Sequence, residues 1–175
     1  MLCTVRVFSE QFAASLGGAL DRGEQNLVPN LEGAIGEKFR ALARLAPLAA
    51  QCLLGRDMVI WWAARLRESE QAILLDNLVA HASCASAAHK SRLLSCTAAI
   101  AWIANQDQIA TRSLRDCLHT DRRNSLGILL ATALQNDTPR EAFRATLAAM
   151  TIDQVHEVLP VRKRAGDVVE CSCPM

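Results

Sequence analysis

The side chains of this chain that are able to bind a metal are few and widely spaced. His81, Cys84 and His89 form a His-x2-Cys-x4-His run, and Cys117 and His119 follow with one residue between them. A structural zinc site needs four converging ligands, usually from two close pairs. His81 and Cys84 can share one helical face, but no second matching pair accompanies them, so structural roles are expected. Asp116-x-x-His119 and Asp153-x-x-His156 copy the spacing of a Glu-x-x-His motif with a shorter acid. Carboxylate-bridged dinuclear iron also needs buried glutamates on partner helices, and none is placed to supply them. Cys171 and Cys173 lie together near the chain end and read as part of an ordinary tail, although two close thiols can oxidise or hold a soft metal. No metal and no cofactor are expected.

Covalent catalysis needs a nucleophile, a base and an orienting group. No Gly-x-Ser-x-Gly, no cysteine in a recognisable Cys-His setting and no Gly-rich phosphate loop occurs, so no catalytic residue is assigned. Binding chemistry offers more. Arg112 and Arg115 lie three residues apart, Arg122 and Arg123 come in the next turn, and Arg140 and Arg144 sit on a later helix. Stacked helices would align these as a basic stripe, with Asp116 and Asp121 nearby to offset it. Trp61 and Trp62 are about 100° apart around a helix, so both cannot face the same core. One is expected in the core and the other at an interface or groove, where tryptophan is enriched; core filling by both is the competing reading. The interaction candidates are Trp61, Trp62, Arg65 and Trp102.

The elements that must position these residues are helical. Residues 1–7 read as extended, and Ser9 caps a helix from Glu10 to about Asp21. Asn30 caps a second helix carrying Leu31, Ile35, Phe39, Leu42 and Leu45. Pro47 is expected to interrupt that helix or start another, because proline lacks the helical donor. The apolar run Leu48 to Leu54 follows, closed by Gly55. Asp57 is read as the cap of a helix from Met58 to Leu66. Helices then run from Ser69 to about Ser83, from about His89 to Ala104, from the cap Asp107 through Leu118, and from Leu126 to Leu134. Thr138, Pro139 and Glu141 mark a further helix start, with a capping threonine, a proline in the first turn and an acid three residues on. That helix reaches about Met150, and Thr151 opens a last short one ending near Pro160. Residues 161–175 read as a loose tail.

Composition agrees with this outline. The 175 residues are 51% hydrophobic and 21% charged, with 4% aromatic residues and no tyrosine. That is enough apolar material for a core without disulfides or metals. The net charge is +1, which weighs against a dedicated nucleic-acid binder, because phosphate contacts demand a basic excess. Seven cysteines, an odd number, and no secretory h-region in Met1 to Val7 point to a reducing cytoplasm. The longest uncharged stretch, Leu93 to Gln106, is too short and too polar to span a bilayer and reads as a core helix.

From Ala101 to Leu134 the pattern suggests helical hairpins. A helix ends in a tight polar turn, and Ala110, Leu114 and Cys117 follow as small and large residues in alternation. A further pair, Leu126 to Met150, comes about 30 residues on. This is similar to tetratricopeptide-type packing, but the periods are uneven and the full motif is absent. The expected fold is all-α, an irregular array of antiparallel hairpins of about 8 helices, forming one domain over 1–160 with the array proper in 56–150.

Arg56-Asp57, Ala101-Trp102 with its polar turn and Ala110, Leu129-Leu130 with Ala133-Leu134, and Thr138-Pro139-Arg140 carry a resemblance. Over about residues 56–150 the chain resembles the C-terminal helical half of an actinobacterial family, domain of unknown function 4192. The members of that family have a longer N-terminal half than residues 1–55 supply, and the resemblance implies neither a reaction nor catalytic residues. The function expected is a non-enzymatic helical interaction module that binds a protein partner or itself. A nucleic-acid accessory protein using Arg112, Arg115, Arg122 and Arg123 is the second reading, and a small helical enzyme the third.

Overall fold

The computed structural model describes residues 42–151 and Gln154. The chain divides into two compact units, Leu45–Arg162 and Met1–Arg44 with Lys163–Met175; the helices below belong to the first. The elements expected over 1–41 and the tail 161–175, including Cys171 and Cys173, lie outside the described residues.

The fold is all-α, and the described residues contain helices and turns without a strand. A helical stretch over 42–51 supplies α1, which is 45–51 within this unit. It is followed by α2 (Leu53–Ala63), α3 (Glu68–Cys84), α4 (Ala87–Ile103), α5 (Asp107–Thr120), α6 (Ser125–Gln135) and α7 (Arg140–Ala149). Consecutive helices pack on each other from α3 to α6, as hairpins do, but α4 also meets α2, α6 and α7. The irregular array is therefore gathered around α4 and is not strung out in a line.

The composition of α4 explains this. Every residue from Leu93 to Ile103 is buried, so the helix has no solvent face. Two hydroxyls of that stretch bond within the helix: Ser95 Oγ donates to the Arg92 carbonyl at 2.9 Å and Thr97 Oγ1 to the Leu93 carbonyl at 2.8 Å. They need no partner from outside and can sit in an apolar interior. No helix of the described residues is long and apolar enough to cross a membrane.

Two turns close as expected. After α4 the Gln106 N–H donates to the Ala101 carbonyl at 2.8 Å, with Asn105 at φ 59°. After α6 the Thr138 N–H donates to the Ala133 carbonyl at 2.9 Å, with Asp137 at φ 49°. Both are Schellman closures in which Asn and Asp occupy the left-handed position usually given to glycine. Thr151 and Gln154 bond reciprocally, Gln154 Oε1 accepting from the Thr151 N–H at 2.8 Å and Thr151 Oγ1 from the Gln154 N–H at 3.3 Å. This is the capping box of the expected last helix.

Four expectations are corrected. The helix does not stop at Pro47; helical residues lie on both sides, and the exposed ring leaves no missing donor in the core. Gly55 closes nothing. It is a buried residue in the first turn of α2, where an added Cβ would lie 2.3 Å from the Leu48 carbonyl oxygen. Asp57 is not the cap of that helix, because Cys52 is: its Sγ accepts the Gly55 N–H at 3.3 Å. Thr138 does not cap α7, whose N-cap is Pro139 with no side-chain bond.

Asp57 instead faces the buried Arg56, with Oδ1 2.6 Å from Nη2. Burial pushes the Asp57 carboxyl above its ordinary range, against the pull of Arg56. A carboxyl raised in the folded state makes stability fall as pH rises through that raised value. The pair therefore adds little to stability at neutral pH, but it spares Arg56 from being a lone buried charge. The closer constraint is Gly55. Gly55→Ala is expected to lower stability by roughly 1–3 kcal/mol, because the methyl forces α1 and α2 apart; urea denaturation of both proteins measures it, and an unchanged midpoint would refute the close approach.

Candidate interaction groove

The tryptophans and Arg65 are used inside the fold. Trp61 is buried with Met58, and Trp62 and Met150 pack against that pair. Trp62 is half-buried and meets Trp61 edge-on, with ring centroids 5.1 Å apart at 78°. Trp102 is buried on α4 and stacks at a tilt on Phe143 of α7, at 5.3 Å. Trp61 Nε1 donates to the Met150 carbonyl at 2.9 Å. These rings form the bed on which α7 lies.

Arginines hold α7 there. Arg65 stacks on the Trp61 ring, its Cζ 3.8 Å from the centroid. Its guanidinium donates to the carbonyls of Leu147 at 3.0 Å, Ala148 at 2.7 Å and Met150 at 2.7 Å. Those are the last carbonyls of α7 and the residue after it, which no helical N–H satisfies. Arg144 of α7 in turn reaches just past the end of α2, to the carbonyls of Ala64 at 3.3 Å and Leu66 at 3.4 Å. Each helix thus receives a cation at its negative end from the neighbourhood of the other. Arg140 holds the start of α7 to Asp107 at 2.8 Å and to Asn105 Oδ1 at 3.0 Å. Arg140 and Arg144 are therefore not part of a basic stripe.

The remaining arginines lie elsewhere. Arg112, Arg115, Arg122 and Arg123 are all exposed. Arg115 and Arg122 line an open groove of about 570 Å³ between α5 and α6, together with Leu118, His119, Ile128, Ala131, Thr132 and Gln135. Residues 128, 131, 132 and 135 on one wall share a face of α6, and 115, 118 and 119 on the other share a face of α5, with Arg122 coming from the turn after it. Arg112 and Arg123 are beside the groove but do not line it. Arg115 lies 3.5 Å from the exposed Asp116, a contact worth little in water. Asp121 accepts the Arg123 backbone N–H at 2.9 Å.

A buried node fixes the angle between the walls. Asn124 caps α6, with Oδ1 accepting the Gly127 N–H at 2.9 Å. Its Nδ2 donates to Ser91 Oγ at 2.9 Å, which ties the start of α6 to the start of α4. Cys117 of α5 joins them, with Sγ 3.4 Å from the Ser91 carbonyl. Burial pushes the thiols of Cys96 and Cys117 up, so both act as small apolar fillers. Among the described residues no three His, Cys, Asp or Glu side chains gather as a metal site, and His81, Cys84 and His89 are exposed.

Sequence reasoning passed over Ile128 and Leu129, which are 47% and 66% exposed. The signal was present. Helix α6 reads SLGILLATALQ with no charge, yet only Gly127 and Leu130 of it are buried. None of the protein-family models, curated proteins or solved structures compared with this chain matches it.

Because α7 has no fully buried residue, its polar clamps carry much of its attachment. Removing both C-terminal arginine caps in an Arg65→Ala, Arg144→Ala double variant is expected to cost α7 on the order of 1–2 kcal/mol. Amide hydrogen exchange across residues 140–150 should then quicken roughly tenfold, while that of α4 stays unchanged. Equal exchange in α7 of the variant and the parent would remove the clamp from the account.

Proposed function

We propose that this chain is a non-enzymatic helical interaction module that binds a protein partner or another copy of itself through the α5–α6 face. The observation that carries the reading is the exposed apolar side of α6, Ile128 and Leu129, beside a groove that no other described helix fills. Scattered exposed apolar residues are ordinary on a protein surface; what supports the reading is that Ile128 lines the groove and that Leu129, next to it in an uncharged helix, is exposed as well. The tryptophan candidates support the reading indirectly. Trp61, Trp102 and Arg65 hold the scaffold that presents α6, and Trp62 retains partial exposure.

The same proposal places the module in the cytoplasm, where an exposed thiol such as Cys84 stays reduced. Kinship with the helical half of domain of unknown function 4192, over residues 56–150, also belongs to the proposal. The nucleic-acid reading keeps one supporting observation, the exposure of Arg112, Arg115, Arg122 and Arg123.

Light scattering of the purified chain, with photo-crosslinking from position 129 in an extract of the cells that make it, tests the proposal. The expected result is either a concentration-dependent dimer or one saturable adduct identified by mass spectrometry, and in both cases its loss on Ile128→Asp. A strict monomer that gives no adduct refutes the interaction role. Oligonucleotide binding that falls on the order of a hundredfold with a fourfold rise in salt, as about four phosphate contacts require, would favour the second reading.

A further inference from the structure

We infer that the α5–α6 groove takes an acidic amphipathic helix from a protein partner, an inference that rests on the interaction role proposed above. Its geometry suits a helix. The groove runs between two helix faces, and α6 is 11 residues long, about 16 Å, or three turns of a partner helix. A partner row at i, i+4 and i+7 can drop between Leu118 and Ile128, as helices seat in apolar grooves.

The charge around the groove selects the partner. Arg115 and Arg122 line it, and Arg112 and Arg123 are exposed close by in sequence, against Asp116 and Asp121. Asp121 is engaged with the backbone of Arg123, and among the described residues Arg122 has no carboxylate partner. The rim is thus locally positive on a chain whose net charge is only +1. Carboxylates flanking the apolar row of a partner would meet Arg115 and Arg122, which raises both encounter rate and discrimination.

Two other occupants fit less well. A second copy docking face to face would bring two copies of the same Arg115 and Arg122 rim into one interface, since a two-fold contact uses the same patch on both chains. A nucleic acid strand finds no Phe, Tyr or Trp among the lining residues and only the His119 imidazole to stack on, and Ile128 would lie against its phosphates.

The test is a display library of random amphipathic helices selected on the full chain. Enriched members are expected to carry apolar residues at i, i+3 or i+4, and i+7, flanked by Asp and Glu. They should bind the Ile128→Asp variant about tenfold more weakly. Selection on Arg122→Glu should shift the flanks toward Lys and Arg, which a merely structural arginine would not do. Circular dichroism confirms that both variants, each altered at an exposed position, remain folded. Enrichment of neutral or basic flanks on the parent chain, binding indifferent to Ile128→Asp, or no enrichment at all overturns the inference. Of these, flank-indifferent binding that still needs Ile128 removes the acidic partner and leaves the interaction role standing. Displacement of selected helices by an oligonucleotide whose own binding depends on Arg122 but not on Ile128 overturns it in favour of nucleic acid.

Discussion

The rest of this unit depends on one constraint: α4 must be covered on every side. From Leu93 to Ile103 it offers no residue to solvent, and each large side chain there gains about 1.5–3 kcal/mol from burial. Two neighbouring helices cannot cover a whole cylinder. The helices α2, α3, α5, α6 and α7 all meet it, and the array takes its shape from that requirement. Gly55 lets α2 approach the backbone of α1, and Gly127 lets α6 seat on the Leu118 and Cys117 side chains of α5.

Covering one helix with many short ones multiplies helix ends, and each end leaves carbonyls that must find donors. Two solutions coexist. Where the chain turns tightly, after α4 and α6, the backbone closes the end itself. Elsewhere arginine supplies donors: Arg65 for the last carbonyls of α7, Arg144 for carbonyls just past α2, whose own end the backbone closes, and Arg92 for α1 through the Ala50 carbonyl. A guanidinium suits this task because it presents several donors in a plane and cannot lose its charge. Arginine in the described residues therefore has several uses, Arg56 and Arg140 pairing with carboxylates. Some side chains terminate helices, and those around the α5–α6 groove remain in water.

That division decides what was legible in the sequence. Helix positions from α3 onward followed from apolar spacing and from turn residues such as Asn105 and Asp137, because those are local properties. The burial of Cys96 and Cys117 among apolar neighbours was legible for the same reason. The start of α2 was not. Asp57 carries the stronger capping preference, but its neighbour Arg56 is buried and needs its carboxylate, so the weaker cap Cys52 serves. Nor did spacing separate Arg144 from Arg115. Both lie on amphipathic helices, and only the path of α7 back across Trp102 and Trp61 shows which one meets a carbonyl. The exposed side of α6 was hidden by its composition. A helix without charge reads as core, and only the count of neighbours available to cover it shows that one side is left over.

Why that side is left over follows from the turn after α6. Asp137 in its left-handed conformation and Pro139 at the N-cap redirect the chain, and Phe143 takes α7 to Trp102 on the central helix. In a stack of hairpins the next helix would instead lie between α5 and α6. The chain uses its last described full helix to complete the cover of α4, where burial of Trp102 and Trp61 stabilises more than a contact with Ile128 and Ala131 would. Among the described residues the fold thus completes its core and leaves the α5–α6 groove open. Polar residues at 128 and 129 would serve the fold equally well, since neither side chain enters the core. The apolar residues found there make sense when another surface covers them.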